Sequence, residues 1–170
     1  LYDPFIIFLA QGRKRVVLDG KAYEYNPGNF LTVLAPMPME CQVLEASADK
    51  PLLGIGIHLD RQRLMNMVMK MDQVDPTPFS AEPVDPSGVF TAPLNAKLHN
   101  ALLRLLESLE SPADAALLGE AIIDEIHFRI LKHERGGALM QLLQQRGQIQ
   151  QIARAVEFLQ QNLSEKVSIE

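Results

Sequence analysis

The sequence is short of cysteine, tryptophan, histidine and long apolar runs. It has 170 residues, with one Cys, no Trp and four His. A single thiol excludes an intramolecular disulfide framework and suits a reducing compartment, so a cytoplasmic protein is expected. No stretch approaches the roughly 20 consecutive apolar residues that a bilayer span needs, and no membrane partner is expected. Excess basic charge is missing too. The net charge is −5, divided as +1 over residues 1–71, −8 over 72–128 and +2 over 129–170. None of these segments carries the dense basic stripe of a phosphate-tracking surface, so these residues alone are not a DNA binder. What remains is a chain that is 47% hydrophobic, enough for one domain with a substantial core.

The first sixty residues read as short strands. Phe5 to Leu9 is a continuous apolar run, the pattern of a strand buried on both faces. Asp19-Gly20 between two β-prone runs predicts a hairpin with a type I′ turn. Asn26-Pro27-Gly28-Asn29 predicts another turn, and Phe30–Leu34, Cys41–Ala46 and Leu52–Leu59 complete the series. Closely spaced strands with Gly/Pro turns indicate a barrel or sandwich. Arg13-Lys14-Arg15 is too short for a nucleic-acid contact and reads as a solvated edge strand.

The hydrophobic period then changes. Asp60 is the expected N-cap of a helix over 61–71, with Leu64, Met67, Val68 and Met71 on one face. Five prolines make 72–93 an extended loop. A helix over 94–110 should bury Leu98, Leu102, Leu105, Leu106 and Leu109. Asp114 should open the next, running to about His133 with Leu117, Leu118, Ala121, Ile122, Ile126 and Ile130 inward, and Gly136-Gly137 should stop it. A third amphipathic helix is expected over 148–162. Ser168-Ile169-Glu170 reads as the start of one more, as though the chain were cut there.

Several motifs together resemble the N-terminal domain of AraC-type transcriptional regulators, of the subgroup with a cupin-like barrel. They are Leu1-Tyr2-Asp3-Pro4, Gln11-Gly12-Arg13-Lys14-Arg15, Tyr23-x-Tyr25-x-Pro27-Gly28, Pro36-x-Pro38, Glu45-Ala46-Ser47 with Lys50-Pro51, Asp124-Glu125-Ile126, and Ile152-Ala153-Arg154-Ala155 with Leu159 and Asn162. The resemblance spans nearly the whole chain, although residues 72–93 contribute little. It implies an α+β fold, a cupin-like antiparallel barrel or sandwich followed by two or three helices. It divides the chain into a barrel with closing helix over 1–71, a Pro-rich loop over 72–93 and a helical dimerisation hairpin over 94–135. A linker over 136–147 and the start of a helix-turn-helix domain over 148–170 would follow. It also implies effector sensing and homodimerisation, with promoter DNA contacted beyond Glu170 and the family's opening residues lying upstream of Leu1.

Catalysis finds little support in the residues. A metal cupin needs His-x-His on one strand, whereas no His precedes His58, and Met occupies the Pro36–Glu40 segment where His would stand. No metal, cofactor or enzymatic activity is therefore expected. Cys41 reads as a small buried hydrophobe, with a thiol-sensing role left open. Pocket candidates are Phe5, Ile7, Leu9, Tyr23, Tyr25, Phe30, Cys41, Val43, Ile55 and Ile57, because alternation groups them by face. It does not say which face is inward. Tyr hydroxyls are the favoured ligand contacts. The expected dimer interface is Leu118, Ile122, Ile126, Arg129 and Ile130. The rival readings are a stand-alone cupin-type metalloenzyme and a purely structural dimer module.

Overall fold

The computed structural model describes residues 4–34, 39–74, 88–133 and 136–137. Among them, seven strands form two antiparallel sheets, and three helices complete an α+β fold. The strands are β1 (Phe5–Gln11), β2 (Arg13–Leu18), β3 (Lys21–Tyr25), β4 (Asn29–Val33), β5 (Glu40–Glu45), β6 (Leu53–His58) and β7 (Val89–Pro93). One sheet has the order β6-β1-β4-β7 and the other β3-β2-β5. The sheets pack as a sandwich and do not close into a barrel.

The turns form for the reasons their residues supply. Asp19 and Gly20 both take positive φ, +49° and +79°, and Leu18 pairs with Lys21 across them. That is the two-residue loop whose twist matches the flanking strands. At the next turn the Asn26 side chain accepts from the Gly28 amide at 2.8 Å, and the Asn29 side chain accepts from the Asn26 amide at 2.7 Å. Gly12 links β1 to β2 at φ +89°, where a Cβ would stand 2.7 Å from the Glu45 carbonyl oxygen. Glycine is the residue that fits there.

The core is divided in two by the four-stranded sheet. Ile6 and Phe8 of β1, Phe30 with Leu34 just beyond β4, and Ile57 of β6 face the helices. Leu9, Leu31, Val33 and Val89 instead face Val16, Tyr23 and Tyr25 of the second sheet. A strand buried on both faces, as expected for Phe5–Leu9, is what this layering requires.

The helices are α1 (Arg61–Val74), α2 (Ala96–Ser108) and α3 (Pro112–Leu131). The Asp60 carboxylate accepts from the Arg63 amide at 3.0 Å, as an N-cap should, and hydrogen bonding holds it below the usual carboxylate range. Asn95 caps α2 through the Leu98 amide at 2.9 Å. Ser111 caps α3, which begins at Pro112, two residues before the expected Asp114 start. The end of α3 also differs, since it closes at Leu131 ahead of the glycine pair.

Three further differences have physical causes. β7 lies inside the supposed loop and pairs with β4 from Val33↔Val89 to Asn29↔Pro93. It ends on proline at the sheet edge, where no ladder donor is needed. β2 is the central strand of its sheet, not an edge. It tolerates the basic cluster because Arg13 and Arg15 sit on the outer face and pair with Glu24 of β3. The helix stripes are rotated as well. α2 buries Leu98, Ala101, Leu102 and Leu105 but exposes Leu106 and Leu109, while α3 buries Gly119, Ile122, Ile126 and Ile130 but exposes Leu117 and Leu118. The expected helix over 148–162, residues 138–147 of the linker expected over 136–147, and the Pro36–Pro38 motif lie outside the described residues.

Candidate functional site

Between the two sheets, side chains are buried where β2 and β3 meet β4 and β7, and are exposed along β5. Residues directly opposite in an antiparallel pair share a face. Val16 faces inward and stands opposite both Tyr23 and Cys41, while Lys14 stands opposite both Tyr25 and Val43. Cys41 and Val43 therefore lie on the inner face of β5, yet both are exposed, Val43 to 56%. Across the gap, β6 presents Gly54, Gly56 and His58 opposite Leu9, Ile7 and Phe5. Among the described residues, no atom beyond its chain neighbours stands within 4 Å of where a Cβ of Gly56 would be. Missing side chains on β6 and exposed ones on β5 leave a mouth between these two sheet-edge strands.

Tyr25 lies deeper on the same face. Its side chain is fully buried, and its hydroxyl has no hydrogen-bond partner among the described residues. Burial, and to a lesser degree Cys41 nearby, pushes the phenol up to about 12, so it is a neutral donor at physiological pH. A buried hydroxyl without a partner costs roughly 1–3 kcal/mol and calls for an explanation.

The sequence-derived pocket residues separate accordingly. Phe5, Ile7, Leu9, Tyr23 and Tyr25 border the inter-sheet space, and Cys41 and Val43 lie at its mouth. Phe30, Ile55 and Ile57 face the helices. Alternation could not have separated these sets, because both faces of the four-stranded sheet are apolar. Among the inner positions that sequence reasoning left out are Lys14, Val16, Leu31, Val33, Val89 and Gly56. A glycine at a strand interior marks open space or close approach, and that was the available signal.

Residues 1–138 match the family model described as the AraC-type transcriptional regulator N-terminus. The chain belongs to that family. No curated protein matches it. Among the described residues of this AraC-type domain, no three His, Cys, Asp or Glu side chains converge as metal ligands would. No described helix is long and apolar enough to cross a membrane.

The helical face of the AraC-type domain is tied together by charge. Arg63 of α1 pairs with Glu120 and Asp124 of α3, and Glu125 is shared by Arg104 of α2 and Arg129 of α3. The arginines hold Glu125 below the usual carboxylate range. Of the residues expected at a dimer interface, Ile122, Ile126 and Ile130 pack in the chain's own core. Leu118 is exposed, and Arg129 is engaged with Glu125. Between α2 and α3 runs a groove of about 430 Å³ whose lining includes Arg104, Glu107, Asp114 and Leu118.

His127 sits beneath these ion pairs, buried on α3, with its Nδ1 2.7 Å from the Ile123 carbonyl oxygen. Burial holds it below the usual histidine range, reinforced by Arg63 and opposed by Ile123, Asp124 and the His58 backbone. The unfolded chain accepts this proton near pH about 6.5, before the folded one does. Stability is therefore full above that pH and falls as pH drops below it. Urea midpoints at pH 7.5 and 5.5 should show this loss, and His127→Gln should flatten it. An equal loss in the variant would assign it elsewhere.

Proposed function

We propose that the chain is the effector-sensing and dimerising part of a bacterial, cytoplasmic AraC-type regulator, with a small-molecule effector bound between the two sheets. The observation that carries this reading is the Tyr25 hydroxyl, buried on the inner face with no described partner. An effector entering past Cys41 and Val43 would meet a mostly apolar space with Tyr25 and the inner-face Lys14 as its polar groups, the usual composition of a small-molecule site. Its binding would favour one arrangement of sheets and helices, and to do so it must bind the two arrangements unequally. Promoter DNA would then be contacted by a helix-turn-helix domain that the 148–170 segment begins. The acidic balance of the chain agrees with that division of labour.

Homodimerisation belongs to the same reading. It rests on the outer face of α3, where Leu117 and Leu118 are exposed to 79% and 51%, and on the groove beside it. Arg104 on one wall with Glu107 and Asp114 nearby gives a surface that can complement itself across a two-fold axis.

A thermal-shift screen against a metabolite panel tests the effector. A ligand at 100 times its Kd adds about 2.7 kcal/mol, which for a chain this long is a rise of roughly 5–11 °C. Tyr25→Phe should keep or raise the melting temperature without ligand, because it removes an unpaired buried hydroxyl, and should remove most of the ligand-induced rise. A variant that is much less stable alone yet responds fully to ligand would mean the hydroxyl is structural.

A further inference from the structure

A second cavity lies on the opposite side of the four-stranded sheet. It measures about 430 Å³, is open on one side, and is bounded by β1, β6 and α2 with Pro27 and Leu94. Phe8, Ile55, Leu94 and Leu102 supply its walls, and Leu53, Leu103 and Leu106 its rim. Phe8 and Ile55 stand directly opposite each other on the helix-facing side, so the cavity opens on that side of the sheet, with Leu9 of β1 a lining residue that also borders the inter-sheet space. Gly54 joins the lining through its backbone. His99 is the one titratable side chain among its described lining residues, and no carboxylate, lysine or arginine joins it. The three rim leucines are exposed to between 45% and 50%, an apolar outlay that a closed core would have buried.

We propose that this cavity is a second binding site, for a neutral, apolar small molecule bearing one hydrogen-bonding group that meets His99. Volume and chemistry select this class. An engineered apolar cavity of about 150 Å³ already holds benzene, so the space takes a ring with a substituent or a medium-length chain. A charged ligand finds no counter-ion in the lining and would lose its hydration uncompensated. A peptide segment would bring several backbone donors and acceptors to a surface with one polar side chain. Occupancy would brace α2 against β6, so the site would act on the helical layer without passing through the inter-sheet space. It is independent of the effector reading given above.

The test is a fluorescence titration of the full chain with N-phenyl-1-naphthylamine, a neutral apolar probe carrying one N–H. Saturable one-to-one enhancement is expected. Leu103→Trp, which fills the cavity without adding charge, should weaken binding roughly tenfold or more, about 1.4 kcal/mol. Leu103→Glu with Leu106→Glu should do the same by placing carboxylates at the rim. Val43→Glu, at the mouth of the inter-sheet space, should leave the probe unaffected. Circular dichroism must show each variant folded, and the tryptophan variant serves if the double glutamate does not fold. Loss of binding in Val43→Glu with retention in Leu103→Trp would place the probe between the sheets and overturn the proposal. So would a switch from dimer to monomer in the glutamate variant with probe binding intact in Leu103→Trp, because the cavity would then be a subunit contact.

Discussion

Ile126→Asp is expected to give unfolded or insoluble protein, not a soluble monomer. Ile126 is fully buried and packs in the cluster that joins α3 to α2 and the four-stranded sheet. Truncating such a side chain costs about 2–5 kcal/mol by itself. An unpaired carboxylate in the same place adds several kcal/mol more. Against a total stability of about 5–15 kcal/mol, the sum removes most or all of the folded population. Leu118→Glu is the informative partner experiment. Its side chain is exposed, so the fold should survive and light scattering can read the oligomeric state directly. A folded, monomeric Ile126→Asp would show that the α3 stripe is an intermolecular surface after all.

Phe30→Ala is expected to destabilise by about 3–5 kcal/mol, lowering the melting temperature by roughly 6–20 °C. Phe30 is fully buried on the helix side of β4. Its ring centroid lies 5.3 Å from that of Phe8 and 5.5 Å from that of His133, the latter edge-on. Such aromatic pairs contribute about 0.5–1.5 kcal/mol beyond area burial. Denaturant unfolding measures the stability, and titration of an effector at a temperature where the variant is folded measures affinity. A large drop in affinity with little change in unfolding free energy would return Phe30 to the effector space.

These two residues show where sequence reasoning succeeds and where it stops. Asp19-Gly20 and Asn26-Pro27-Gly28-Asn29 were readable because turn chemistry is local, and the strands on either side followed from them. Asp60 was readable as a cap for the same reason. Phe30 and Ile57 were grouped with pocket residues because β1, β4 and β6 lie in a sheet between two apolar layers, and period-two alternation carries no mark of which layer is which. On α3 the apolar positions outnumber those one stripe can bury. Leu117 and Leu118 could thus be mistaken for core while the Ile122–Ile126–Ile130 row took that place. β7 stayed hidden because Val89–Pro93 is short, follows a run of prolines and owes its pairing to β4, some sixty residues earlier. The mouth between the sheets depends on strand order, which no local signal encodes.

The order β6-β1-β4-β7 has a kinetic consequence. None of its three pairings joins strands that are consecutive in the chain, whereas the other sheet contains one such hairpin, β2 with β3. Loop-closure entropy must be met before any of those distant pairings gives a return, so this topology folds slowly. On the ribosome, β4 cannot acquire its outer neighbour until Pro93 has emerged. Until then its Leu31 and Val33 edge stays open to pairing with another nascent chain, and protection during synthesis matters more for this domain than its size suggests.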